Sequence, residues 1–178
     1  MKKIALLSAV FAAAAITNVQ AADTGTITFN GTLTASTCDV AVEGQASDVM
    51  VTLPTVSTSN LASVGETAGS TPFSMSLSGC TGTLTTASAF FEAGTSVDPS
   101  TGRLKNTGGD AGLVSLQLKD GSNDEVIKAG SSEQIANTTF VDVASGEAVL
   151  PYAVEYFAEG TTTAGTVSSS VTYSIQYK

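Results

Sequence analysis

The sequence predicts an all-β sandwich, on three observations. Apolar and polar residues alternate with period two in several short runs; Gly, Ser, Thr, Asn and Asp fill the intervals; and no convincing long amphipathic helix competes. Side chains on a strand point to opposite faces in turn, so each run reads as one buried and one wet face. Apolar residues make up 42% of the 178-residue chain and charged ones only 13%, too apolar and too weakly charged for disorder.

The first residues stand apart from that pattern. Met1-Lys2-Lys3 is a basic start, Ile4 to Ile16 is an apolar run broken only by Ser8, and Val19-Gln20-Ala21 supplies small residues at the −3 and −1 positions. This reads as a secretory signal peptide over 1–21, cleaved after Ala21. The apolar run is shorter than the roughly 20 residues that span a bilayer, and no later stretch is long enough, so an exported, soluble product is expected. Removing Lys2 and Lys3 from the seven basic residues leaves five against sixteen acidic ones, a net charge of −11. That balance argues against nucleic acid, whose phosphates need clustered Lys and Arg.

From Thr24 to Ala35 the even positions are polar, while Ile27, Phe29, Gly31 and Leu33 share the other face. Asn30-Gly31 is a strong two-residue hairpin signal. A hairpin there pairs Phe29 with Thr32 and Ile27 with Thr34, mixing apolar and polar residues on both faces. One continuous strand keeps the faces separate, so the strand reading wins. No breaker separates Leu33 from Cys38, so the extended stretch runs from Gly25 to Val42, about 18 residues or roughly 60 Å. A compact domain of the 157 residues after Ala21 is roughly 40 Å across. The strand therefore bends sharply or overhangs, and an overhanging apolar strand aggregates unless something takes it up. Gly31 at its centre permits close approach of another backbone or a bulky side chain.

Export makes Cys38 and Cys80 a disulfide pair, since an oxidising compartment favours pairing and no third Cys competes. The alternative, free thiols or a redox pair, lacks CxxC spacing. Closing a loop of about 43 residues stabilises by roughly 4 kcal/mol on the chain-entropy model. Further strands are expected at Phe73, Met75 and Leu77; at Val114, Leu116 and Leu118; and at Leu150, Tyr152, Val154 and Tyr156. The cleanest run is the last, Val167, Val171, Tyr173, Ile175 and Tyr177 against Thr166, Ser168, Ser170, Thr172, Ser174 and Gln176. Weaker strands are expected over 49–56 and 84–91, and 57–68 has room for a short helix. Asp120-Gly121-Ser122-Asn123 reads as a hairpin turn. Asp120, Asn123, Asp124 and Glu125 lack the spacing of a twelve-residue calcium loop.

These residues together resemble the chaperone–usher fimbrial pilins, in particular type 1-like major subunits. The resemblance covers essentially the whole chain. It rests on Gly25-Thr-Ile-Thr-Phe-Asn-Gly-Thr-Leu33 leading into Thr37-Cys38, on Phe73-Ser-Met-Ser-Leu-Ser-Gly-Cys80, and on Gly112-Leu-Val-Ser-Leu-Gln-Leu118. It continues in Leu150-Pro-Tyr-Ala-Val-Glu-Tyr-Phe157 and in a C-terminal strand with Tyr177 penultimate and Gly165 fourteenth from the end. The resemblance implies an incomplete immunoglobulin-like β-sandwich: six strands in a domain over 34–178, plus a donor-strand extension over 22–33. It implies that Ile27, Phe29, Gly31 and Leu33 insert into a neighbouring subunit. Gly165, Val167, Val171, Tyr173, Ile175 and Tyr177 would border the acceptor groove and dock a periplasmic chaperone before donor-strand exchange at an outer-membrane usher.

The expected function is a structural subunit of an adhesive surface fimbria, reached through the periplasm, with identical or related pilin subunits, chaperone and usher as partners. Alternatives are a minor or adaptor pilin and a secreted carbohydrate-binding adhesin; an adhesin would normally carry a separate receptor-binding domain. A third reading, a secreted enzyme on a β-sandwich, has little support. With no His and only two Cys, soft-ligand zinc sites and His-assisted nucleophiles are excluded, and no catalytic, cofactor or metal residue is assigned.

Overall fold

A computed structural model describes residues 26–31, 33, 35, 37–45 and 49–178. The signal peptide expected over 1–21 and the start of the extension lie outside the described residues. The chain divides after residue 32, and residues 33–178 form one compact unit.

In that unit β1 (Thr37–Val42) pairs antiparallel with β2 (Thr67–Thr81), setting Val40 opposite Leu77 and Val42 opposite Met75. The register slips between Thr37 and Asp39, which face Thr81 and Ser78. Cys38 therefore lies against two residues, Gly79 and Cys80, in a bulge, and Gly79 takes the left-handed φ of +59° that such a bulge favours. At this point Cys38 and Cys80 are joined by a disulfide, as expected, linking neighbouring strands.

β3 (Thr86–Phe91), β4 (Leu104–Lys105), β5 (Val114–Asp120), β6 (Val126–Ile127), α1 (Gln134–Asn137), β7 (Val141–Asp142), β8 (Ala148–Ala158) and β9 (Tyr173–Tyr177) follow. Among the described residues, one sheet has the order β1-β2-β8-β5-β4 with β6 also on β5, and the other is β7-β3-β9. Every ladder between them is antiparallel. Six of these strands have five residues or more; the rest are two-residue pieces in the turn-rich intervals.

The apolar faces meet as the alternation requires. Phe73, Met75 and Leu77 from β2, Leu116 and Leu118 from β5, and Leu150, Tyr152 and Val154 from β8 pack with Ala87, Ala89 and Phe91 from β3. Tyr152 meets Phe91 edge to face at 5.2 Å, and its hydroxyl accepts a 2.9 Å bond from the Ala89 N–H. Gln134 is buried because its amide serves as a missing strand. Its Oε1 accepts from the Phe91 N–H at 2.9 Å and its Nε2 donates to the Phe91 carbonyl at 3.0 Å.

Several expectations need correction. β5 has no wet face: Ser115 and Gln117 are buried, because longer neighbours lie over them. Gln117 donates to Glu155 at 2.9 Å and Ser115 to Glu159 at 2.6 Å, while the Arg103 guanidinium covers the Phe157 ring at 3.8 Å. Residues 57–68 yield a 3₁₀ turn, Thr58–Leu61, capped by Ser57, in place of an α-helix, and Thr67 and Ala68 already open β2. Residues 49–54 keep their alternation but the stretch 49–56 joins no strand, and the C-terminal ladder covers 173–177 rather than 167–177. A ladder needs a partner as well as a pattern, and these stretches lack one among the described residues. Asp120–Glu125 does form the turn between β5 and β6, closed by the Asp120 N–H to Glu125 carbonyl bond at 2.9 Å.

Two predictions follow from the fastenings. Cys38→Ser or Cys80→Ser should cost about 2–5 kcal/mol and lower the yield of folded protein; unchanged yield and an unchanged unfolding midpoint under reduction would contradict this. Burial alone would raise the Glu159 carboxyl, but hydrogen bonds from Arg103 and Ser115 and the guanidinium charge outweigh it and hold it below its ordinary range. A depressed carboxyl stabilises the fold above its unfolded pKa, and that contribution disappears as pH falls through the folded value. Urea midpoints across the acid range should therefore fall less steeply for Glu159→Gln than for the parent; parallel curves would refute the assignment.

Candidate functional site

Between the edges of the two sheets the core lies open. A groove of about 950 Å³ runs there, floored by Phe73, Met75, Phe91, Leu116, Leu118 and Val154. Its volume matches roughly thirty liquid waters, whereas folded interiors rarely hold voids larger than one. One wall is Val40 and Val42 of β1 with residues 49–53; the other is residues 167–175. The lining contains no Asp, Glu, Lys or Arg. Its ionisable groups are tyrosine hydroxyls, and burial pushes that of Tyr156 up, further from titration at neutral pH. Such a site offers apolar contact and main-chain hydrogen bonds. It has no acid or base to drive a reaction.

Both walls carry period-two burial. Val49, Val51 and Leu53 are half-buried and alternate with exposed Met50, Thr52 and Pro54; Val167, Val171, Tyr173 and Ile175 are half-buried and alternate with exposed residues. Among the described residues, 49–56 belong to no ladder, β1 pairs only with β2, and β9 pairs only with β3. The groove thus separates two strand-like edges with the core between them. An added strand with one apolar face would meet hydrogen-bonding groups along its edges and pockets under alternate side chains.

The sequence-predicted residues divide accordingly. Val167, Val171, Tyr173 and Ile175 line the groove. Tyr177 lies beyond it, where its hydroxyl accepts a 3.0 Å bond from the Cys38 N–H and so ties the end of β9 to β1 beside the disulfide. Gly165 lies beyond the opposite end. A Cβ there would stand 2.5 Å from the Ala111 nitrogen, so the close approach of two backbones requires glycine. Next to it, hydrogen bonds from the Thr166 N–H and hydroxyl hold the Asp110 carboxyl below the usual carboxylate range. Ile27 and Phe29 are 78% and 87% exposed, and Leu33 is fully exposed. Gly31 lies outside the left-handed region, which an Asn-Gly hairpin turn would demand.

Sequence reasoning missed the first wall. The alternation of 49–56 was visible as a weak strand, but nothing local says that its neighbour is a gap. It also missed Ser168, Ser169 and Ser170 as lining, because small polar residues in a Ser/Thr-rich chain look like solvated surface.

Comparison with known proteins adds four matches. The family model for type-1 fimbrial protein A matches residues 53–178. The F17 fimbrial protein of Escherichia coli is 37% identical, covering all of both chains. The major fimbrial subunit SMF-1 of Stenotrophomonas maltophilia (strain K279a) is 43% identical over 93% of this chain and 98% of its own. Among solved structures, the P pilus rod subunit PapA superposes with a TM-score of 0.60 at 16% identity, over 79% of this chain and 99% of that one, which supports the fold.

The tie at the Cys38 end is testable alone. Tyr177→Phe keeps the ring and removes the acceptor for the Cys38 N–H, which should cost about 1 kcal/mol and lower the melting temperature by roughly 2–4 °C for a body of this size. An unchanged melting temperature would show that water replaces the bond.

Proposed function

We propose, from the premise that this chain belongs to the type-1 fimbrial protein family, that it polymerises by strand donation: residues 22–33 of one subunit fill the open groove of the next. As a fimbrial subunit it is a structural protein of the surface fimbrium, not an enzyme. The observation that carries the proposal is the unfilled apolar groove between two edges that lack a strand. The exposed alternating face of Ile27, Phe29, Gly31 and Leu33 is a complement available within the same sequence.

Magnitudes favour the exchange. Burying an Ile, a Phe and a Leu side chain contributes about 1.5–3 kcal/mol each, to which the ladder bonds of the new strand add. Ordering the segment and the loss of free motion offset part of that gain. Gly31 fits where the inserted backbone must approach the floor, and a larger residue there meets a full groove. Since each subunit donates from one surface and accepts at another, contacts are heterologous and the chain of subunits stays open, as a filament requires.

The same groove needs cover before assembly, because an exposed apolar edge invites aggregation. A periplasmic chaperone lending its own strand along residues 167–177 supplies that cover, and an outer-membrane usher is the place where the incoming subunit replaces it. Export through the signal peptide at 1–21 brings the chain to that compartment, where the disulfide also forms.

Deleting residues 22–33 should leave a subunit that accepts a strand but cannot extend the filament. A synthetic peptide copying residues 24–35 should then raise its melting temperature sharply, as a ligand selective for the folded state does. Gly31→Phe in the full chain should slow or stop assembly while the body stays folded, since overpacking typically costs about 1–3 kcal/mol. Electron microscopy showing filaments of normal length and abundance from the truncated subunit would refute strand donation by this segment.

A further inference from the structure

Half of the acceptor wall belongs to no sheet. The ladder between β9 and β3 begins at Tyr173 opposite Phe91, and the Glu92 N–H to Thr172 carbonyl bond at 2.8 Å extends it by one step. Residues 165–171 lie beyond that support, yet from Thr166 onward they keep the period-two burial of a strand. Loop 106–111 holds them from the outer side. Asn106 Oδ1 accepts from the Ser168 N–H at 2.9 Å and the Gly109 N–H at 3.0 Å, while its Nδ2 donates to the Thr166 carbonyl at 3.1 Å and the Ala111 carbonyl at 3.0 Å. Asp110 Oδ1 accepts from the Thr166 N–H at 2.6 Å and the Thr166 hydroxyl at 2.8 Å. The Ala111 N–H donates to the Thr166 carbonyl at 3.0 Å, and the Thr107 and Gly108 N–H groups donate to the Ser168 carbonyl at 3.0 and 3.1 Å. Gly109 and Gly165 allow this approach: a Cβ at Gly109 would lie 2.0 Å from the Thr166 carbonyl oxygen.

These bonds use the N–H and carbonyl groups of Thr166 and Ser168. In an extended chain, alternate residues direct those groups to opposite edges. We infer that Asn106 and Asp110 are positioning residues for strand uptake. By standing in for a neighbouring strand on the outer edge, they hold residues 165–169 extended, so the main-chain groups of Val167 and Ser169 are set toward the groove before a partner arrives. A wall already ordered loses less freedom when the strand docks. The inference rests on the strand-donation reading and names which part of the donor depends on the clamp. Every ladder of the body is antiparallel, the more stable arrangement per residue, and a donor antiparallel to β9 lays Leu33 against the clamped end and Ile27 toward Tyr173 and Ile175.

The test uses filaments of the full chain, each subunit carrying a clamp change, a donor change or both, with the temperature of filament dissociation as readout. Asn106→Ala and Asp110→Ala should each lower that midpoint by about 5 °C or more. In a Leu33→Ala background the further drop from the clamp change should shrink to less than half, and in an Ile27→Ala background it should persist in full. Asp110→Asn, which keeps an oxygen for both Thr166 donors, should restore most of the midpoint. Should Asp110→Ala fail to accumulate, Thr166→Val, which removes only the hydroxyl donor, takes its place with the same expected pattern. Equal drops in the two donor backgrounds would reduce the clamp to general support and overturn the inference. Filaments indifferent to both Leu33→Ala and Ile27→Ala with the clamp intact would instead overturn strand donation itself.

Discussion

The body of this subunit is organised around one shortage: among the described residues, its two sheets supply no strand to close the seam between them. Backbone N–H and carbonyl groups and apolar side chains both require partners away from water. Among the described residues no strand fills the seam, where β1 and β9 present edges on either side of a groove floored by Met75, Phe91 and Leu118. The same shortage explains why residues 49–54 alternate like a strand without being one. It also explains why the C-terminal ladder stops at Tyr173 while the burial pattern continues back to Val167.

A body with an open core must be held by other means, and its fastenings lie at the ends of the groove. At one end the disulfide locks β1 to β2 at a bulge, and the Tyr177 hydroxyl joins β9 to the same point. At the other, Asn106 and Asp110 gather the chain around Thr166. Between them lie apolar side chains with few polar attachments. Cross-links and charge-assisted hydrogen bonds keep their geometry when the core beside them is empty, whereas apolar packing does not. Their placement preserves the shape of a site that cannot preserve itself.

Much of this was legible in the sequence, and the illegible part has a common cause. Alternation found β2, β8 and β9, because one buried face per strand leaves a period of two, and it found β5 although both of its faces are covered. Two Cys in a chain read as exported pointed to the disulfide. Val167, Val171, Tyr173 and Ile175 were placed on the groove through the family resemblance, and the structure brings those four together. The failures concern partners instead of patterns. Nothing local distinguishes Val49, Val51 and Leu53, which border a gap, from the same pattern in a paired strand. Nothing local marks Asn106 and Asp110 as attachments for residues about 60 positions later. Buried Ser115 and Gln117 read as surface because the residues covering them come from β8 and the turn before β4.

Chain connectivity then decides where the missing strand can come from. The Tyr177 to Cys38 bond places the start of β1 at one end of the groove, and Val167 lies toward the other. Ten residues separate Val167 from Tyr177, about 33 Å if extended. A donor segment antiparallel to β9 brings Leu33 to the Val167 end, but only five residues lead from Leu33 to Cys38, and they reach at most about 18 Å. In this arrangement the segment cannot fill the groove of its own body. A parallel insertion would shorten the path but would give up the more stable antiparallel ladder and demand a reversal within residues 34–37. On the strand-donation reading, a short tether turns an internal defect into a demand for a neighbour. Since that neighbour has the same unfilled groove, satisfying one subunit would pass the demand to the next.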